Sequence, residues 1–181
     1  MRKPSFSRRV PEGDHRPRQV CDHCGFVDYV NPRLVVGAVC TWEEKVLLCL
    51  RDIAPREGFW TVPAGFMEEG ETTEEGAARE VREEALAEIE LGPLLGIYNI
   101  PHISQVHLFY KASLLAPRFG AGEETREARL FAWEDIPWKA LAFPTVRWAL
   151  TAFDEVRGLD CFPPRRNPPG ERGDLAHDAW F

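Results

Sequence analysis

Residues 65–87 read Gly65-Phe66-Met67-Glu68-Glu69-Gly70-Glu71-Thr72-Thr73-Glu74-Glu75-Gly76-Ala77-Ala78-Arg79-Glu80-Val81-Arg82-Glu83-Glu84-Ala85-Leu86-Ala87, a turn followed by a helix. Thr72 and Glu75, three residues apart, have the form of a capping box and predict a helix start at Thr72 or Thr73. Ala77, Ala78, Val81 and Ala85 recur at helical spacing and give the side that faces a core. Glu80, Glu83 and Glu84 fall at i, i+3 and i+4, so a single helical face presents all three. Three like charges this close repel one another at neutral pH. A hard divalent cation neutralises them, and magnesium takes oxygen ligands while bridging to substrate phosphates. The helix therefore predicts phosphate-ester or diphosphate chemistry, against the plainer alternative of a solvated acidic face.

Working outward, Leu34–Thr41 is apolar and β-branched, a buried strand, and Val46–Leu50 returns after a polar turn at Glu43-Glu44-Lys45. Phe59–Val62 is a short strand leading into Pro63-Ala64-Gly65. After the helix, residues 88–100 are extended around Gly92-Pro93, 106–115 alternate and are aromatic-rich, and 126–133 form a further strand beyond a Pro/Gly loop at 116–124. Residues 144–156 return to helical spacing. Mixed strands with two helices predict the α/β class, as an α/β/α sandwich around a mixed sheet. Three segments result: a basic N-terminal stretch with a partial zinc knuckle (1–33), a main domain (34–156), and a Pro-, Gly-, Arg- and Asp-rich stretch that reads as a flexible tail (157–181).

At 181 residues and 44% hydrophobic, the chain is long enough for one substantial domain with a core. A net charge of −7 argues against stable nucleic-acid binding. The early basic residues are interrupted by Glu12 and Asp14 with no apolar run behind them, so no signal peptide is expected. No stretch reaches membrane-spanning length, so no membrane partner is expected. Five cysteines without a regular framework fit a reducing cytoplasm.

The spacing Gly65, five residues, Glu71, seven residues, Arg79-Glu80, apolar Val81, one residue, Glu83-Glu84 resembles the Nudix box, the signature of hydrolases that cut nucleoside diphosphates linked to another moiety. The resemblance covers roughly residues 34–156 and implies the same α/β/α sandwich. The family pattern places a glycine where this chain has Leu86, which puts the helix exit in question but removes no ligand. By resemblance, Glu80, Glu83 and Glu84 are the ligands of Mg2+ (or Mn2+), Arg79 holds one of these glutamates, and Glu71 supports the loop. The proton acceptor is left open between Glu83 in the box and Glu124 or Glu127 in the later loop. The resemblance also implies a homodimer.

Pro63-Ala64-Gly65 resembles the box entry of ADP-ribose and related dinucleotide pyrophosphatases, which places Ala64 and Gly65 beside the substrate. The run from Asn31-Pro32 through Trp60 to Leu141-Ala142-Phe143 is similar to a bacterial subgroup related to a plant chloroplast enzyme acting on FAD and ADP-ribose. A nucleotide-type substrate of that kind is expected. Residues 99–106 lack the motif of NADH pyrophosphatases. Arg51 and Arg56 are candidates for holding phosphates, with a solvated loop as the equal alternative. Phe59, Trp60 and Phe66 are candidates for stacking a ring, with core packing as the plainer reading of each. A nucleotide sensor without turnover and an NADH or mRNA cap pyrophosphatase are the alternatives. The intact box counts against the first and the acidic balance against the second.

Cys21-Asp22-His23-Cys24-Gly25 has the spacing of a zinc knuckle, but a ribbon needs four ligands. Subgroup members often carry an earlier Cys-x-x-Cys, and residues 1–10 hold no cysteine. Either His15, His23 or a second subunit completes a zinc site on Cys21 and Cys24, or the knuckle is a remnant. Cys40 and Cys49 are expected as buried thiols.

Overall fold

Three short strands, β1 (Phe6–Arg9), β2 (Arg18–Cys21) and β3 (Val27–Asp28), pair antiparallel into a small sheet in the order β1-β2-β3. This sheet belongs to the first of two units, Met1–Pro32 and Arg33–Phe181. The structure is a computed structural model and describes Lys3 and residues 5–175.

The second unit is built on β4 (Arg33–Trp42), whose apolar, β-branched residues are buried on both faces. The other strands are β5 (Lys45–Arg51), β6 (Trp60–Thr61), β7 (Ala64–Phe66), β8 (Ile89–Ile100), β9 (Gln105–Leu114) and β10 (Thr125–Phe131). The sheet order is β10-β5-β4-β9-β8, with β6 on β5 and β7 on β4. β4 and β9 run parallel and the other pairs antiparallel, so the sheet is mixed as expected.

The β4–β5 hairpin stays paired only at Thr41↔Val46 and Trp42↔Lys45. Below that point the strands take β7 and β6 as partners instead. Close approach of β7 to β4 needs Gly37, where a Cβ would lie 2.5 Å from the Pro63 carbonyl oxygen.

Helix α1 (Thr73–Ala85) covers one face and α2 (Pro144–Val156) the other. Strand alternation sorts the core between them. Val36, Ala38, Cys40, Leu47 and Cys49 pack with Ala77, Val81 and Ala85 of α1. Val39, Val46 and Leu48 pack with Val146, Trp148 and Phe153 of α2.

Thr72 caps α1, with both hydrogen bonds of the capping box present. The exit keeps its left-handed turn without a glycine: Leu86 sits at φ 48, ψ 36 and donates its N–H to the Arg82 carbonyl. A leucine there is strained by its Cβ, and the side chain is exposed, so little packing offsets the cost. Leu86→Gly is expected to stabilise the protein by about 1 kcal/mol. Thermal unfolding should read this as a rise of roughly 2–4 °C.

Residues 161–175, read from the sequence as part of a flexible tail, run back along β8 instead. The Arg165 N–H donates to Leu95 O (2.8 Å), and the Ile97 N–H donates to Arg165 O (2.9 Å). The composition that suggested disorder supplies the anchors here, because strand-edge hydrogen bonds ask nothing of side-chain hydrophobicity. Residues 176–181 lie outside the described residues.

Candidate active site

Arg79 organises the acidic end of the site. Its Nε and Nη2 donate to Glu71 (3.0 and 2.8 Å). Its Nη1 donates to Glu80 Oε1 (2.8 Å) and Glu83 Oε2 (2.9 Å), and Nη2 also reaches the Phe66 carbonyl (3.0 Å). One planar guanidinium thus ties the box turn to the helix. Glu71 accepts as well from the Glu68 N–H at 2.7 Å. The Arg79 hydrogen bonds, followed by that N–H, hold the Glu71 carboxyl down at about 2. Glu71 is committed to the loop.

Glu80 and Glu84 are buried, each only 7% exposed, whereas the Glu83 side chain is open to solvent. Burial raises the Glu80 carboxyl above its ordinary range. Burial also pushes Glu84 up to about 8, against the N–H of Ala64 that donates to Glu84 Oε2 at 3.0 Å. Two carboxylates kept out of water beside a third are a standing electrostatic cost unless a cation joins them. Gly65 is what lets Glu80 approach the turn, since a Cβ there would overlap the Glu80 carboxylate.

The oxygen donors of Glu80, Glu83 and Glu84 suit a hard divalent ion. In this arrangement Glu80 and Glu83 are turned toward Arg79, and among the described residues no three acidic, His or Cys groups converge on one point. Holding an ion requires the exposed Glu83 to swing away from Arg79.

The loop after β9 closes the site from the other side. The Gly120 N–H donates to Ala85 O (2.8 Å) and the Gly122 N–H to Glu84 O (3.1 Å), capping the last carbonyls of α1. A Cβ on Gly122 would overlap the Glu83 carbonyl oxygen. This contact brings Glu123 and Glu124 to the cavity that Glu80, Glu83 and Glu84 line.

That cavity has a volume of about 1300 Å³. Of the candidate site residues, Arg51, Ala64, Gly65, Phe66 and Arg79 line it. Arg51 donates from Nε to Pro55 O (3.0 Å) and lies 5.2 Å from the Phe143 ring centre.

Four expected residues stand apart from it. Trp60 packs edge-on to Phe131 at 4.8 Å in the α2-side core, and its strand neighbour Thr61 faces the cavity instead. Arg56 lies 4.8 Å over the Phe59 ring, and neither residue lines the cavity. Glu127 accepts from Arg129 Nε at 2.8 Å and does not line it either, because a register shift between Thr125 and Glu127 separates it from Glu124.

Sequence reasoning missed the opposite end of the cavity. Gln105, His107 and Phe109 of β9, Ile100, His102 and Ile103, Phe143–Val146 and Gly173 line it. The signal was available in β9, where polar residues at 105 and 107 continue the face of Phe109. Burial lowers the His107 imidazole to about 4 and keeps it neutral, with Nε2 3.0 Å from Gln105 Oε1.

The NUDIX domain profile matches residues 31–151, and the profile described as Nudix N-terminal matches residues 4–30. The chain belongs to the NUDIX hydrolase family. A NUDIX hydrolase from Nitrosomonas europaea, known as a crystal structure, is 45% identical, with a TM-score of 0.85 over 90% of this chain and 94% of that one. An ADP-ribose pyrophosphatase of Methanocaldococcus jannaschii is 30% identical over 115 residues, covering 60% of this chain and 67% of the relative. The NAD-capped RNA hydrolase NudC of Pseudomonas aeruginosa is 30% identical over 134 residues, 71% of this chain. This NUDIX chain spans about half the length of the NudC relatives it matches, 46% in that case.

Among the described residues of the N-terminal unit, no third His, Cys, Asp or Glu stands with Cys21 and Cys24 to hold a metal. The knuckle shape is kept: Gly25 turns at φ 75, and the backbone N–H groups of Cys24 and His23 lower the Cys21 thiol. Beside it, β1 and the residue before it present hydroxyls to Asp22. Ser5 Oγ donates to Asp22 Oδ2 (2.8 Å) and Ser7 Oγ to Asp22 Oδ1 (2.7 Å), with Arg9 3.6 Å away. His15 faces Asp14 rather than the knuckle. A carboxylate clasp thus ties the two segments together. Purified protein is therefore expected to carry well under one zinc per chain, and Cys24→Ser to leave its unfolding temperature unchanged. Asp22→Ala should abolish amide-exchange protection in β1. Stoichiometric zinc by elemental analysis, lost in Cys24→Ser, would refute the clasp.

No helix among the described residues is long and apolar enough to cross a membrane.

Proposed function

We propose that this NUDIX hydrolase cleaves the diphosphate bond of a nucleoside diphosphate derivative of the ADP-ribose or FAD type. One observation carries the reading: a single cavity joins the carboxylate cluster of α1 to a largely apolar compartment roomy enough for a second moiety. Glu80, Glu83 and Glu84 would hold Mg2+ or Mn2+, which when bound neutralises phosphate oxygens and makes phosphorus more electrophilic.

The chain's own groups do the rest. Arg79 keeps Glu80 in place, and the exposed Glu83 would join the ion. Arg51 reaches the cavity as a cation for phosphate oxygens. Glu124 is the group we assign to accept the proton of the attacking water, because the loop brings it to the carboxylates while Glu127 is paired elsewhere. The ADP-ribose pyrophosphatase relative supports the substrate class. Five free cysteines support work in a reducing cytoplasm.

The test is turnover of FAD, ADP-ribose, NADH and dinucleoside polyphosphates with Mg2+ and then Mn2+, with products resolved by chromatography. AMP from FAD or ADP-ribose is the expected product. NADH as the preferred substrate would favour the activity of the NudC relatives. Binding of ADP-ribose without cleavage of any of the four would favour a sensor.

A further inference from the structure

The far wall of the cavity comes from a stretch beyond the matched NUDIX domain, which ends at residue 151. Residues 161–175 are fixed at four successive points. Arg165 bridges in parallel to Gly96 on the edge of β8. The Asn167 side chain accepts from the Asn99 N–H and donates to the Asn99 carbonyl, both at 2.8 Å. Glu171 Oε2 accepts from Trp148 Nε1 of α2 at 2.8 Å. Asp174 Oδ1 lies 2.8 Å from His102 Nδ1. Between the last two, Gly173 sits at φ +77 against Ile100, where a Cβ would come within 2.5 Å of the Ile100 Cδ1. Only glycine passes there, and the passage delivers Leu175 to the cavity.

Leu175 is exposed, and so are Phe66, Leu86 and Ile103, which line the same cavity. Exposed large apolar side chains gathered around one cavity mark surface meant for a ligand. The carboxylates of α1 supply nothing for an apolar group, so the acidic and apolar parts of the lining suit different parts of one molecule.

We propose that residues 161–175 form a specificity wall, acting through Leu175, that sets the size of the ring-bearing group accepted beyond the diphosphate. The proposal rests on the substrate class argued above. A substrate with a large planar ring there, such as the flavin of FAD, meets Leu175, whereas the terminal ribose of ADP-ribose is small enough to avoid most of the contact.

The test measures affinities of FAD and ADP-ribose by calorimetry, with Ca2+ in place of Mg2+ to suppress turnover, in the wild type and in Leu175→Trp and Leu175→Ala. Leu175 is exposed, so neither change should alter the unfolding temperature. The ratio of the two affinities is expected to shift by at least about tenfold between the Trp and Ala variants. Wild-type binding of both ligands with a ratio unmoved in both variants overturns the wall alone. Failure of the wild type to bind either ligand overturns the substrate reading and the wall with it.

Discussion

Glu84→Gln is expected to cut turnover by roughly 10³-fold while leaving the metal-free protein as stable as before, or more so. The two effects share one cause. Glu84 is buried, and its carboxylate accepts a hydrogen bond from the Ala64 N–H that a glutamine oxygen accepts equally well. The amide therefore keeps the box turn docked on α1 and removes a charge that burial disfavours. What it cannot do is hold a divalent ion as a carboxylate does, or complete a cluster with Glu80 and Glu83. Steady-state kinetics across a Mg2+ series and thermal unfolding in chelator check the two halves. Retained turnover in Glu84→Gln would sink the assignment of α1 as the ion-holding face. A large loss of stability with retained cation binding would make Glu84 a packing residue only.

Glu124→Gln is expected to lower kcat by roughly 10²–10⁴-fold with cation affinity close to wild type. The loop that carries Glu124 is fixed to the last turn of α1 by the Gly120 and Gly122 N–H groups, so the carboxylate is placed without being spent on a partner in the cluster. Glu127→Gln is the matched control. Its side chain is held by Arg129 away from the cavity, and it should keep near wild-type turnover. Single-turnover rates with a parallel cation titration separate the proton-transfer step from ion binding. If Glu124→Gln turns over normally while Glu83→Gln still binds cation and is inert, the proton acceptor lies in the box.

The acidic helix was legible because each of its signals is local. Capping, the Ala/Val face and the i, i+3, i+4 glutamates depend on residues within a few positions of one another. The strands of the core were legible for the same reason, through alternation. For Trp60 stacking and core packing stayed open, because alternation gives two faces without saying which one opens to a cavity, and the plainer reading, core packing, holds. Glu124 and Glu127 could not be separated, since a register shift between them depends on pairing with β5. The stretch 161–175 was read as disordered from its composition, although its order comes from the open edge of β8 and from Asn99 and Trp148.

Local spacing determined the mixed α/β class, the capped acidic helix and the chemistry those carboxylates invite. Tertiary structure alone decided which glutamates are buried, which loop meets the end of α1, and which distant segments enclose the far end of the cavity. Short-range patterns are written by backbone geometry a few residues long, whereas a cavity is made where strands separate and remote segments meet. That meeting depends on pairings between residues dozens of positions apart, for which a single sequence carries no periodic signal.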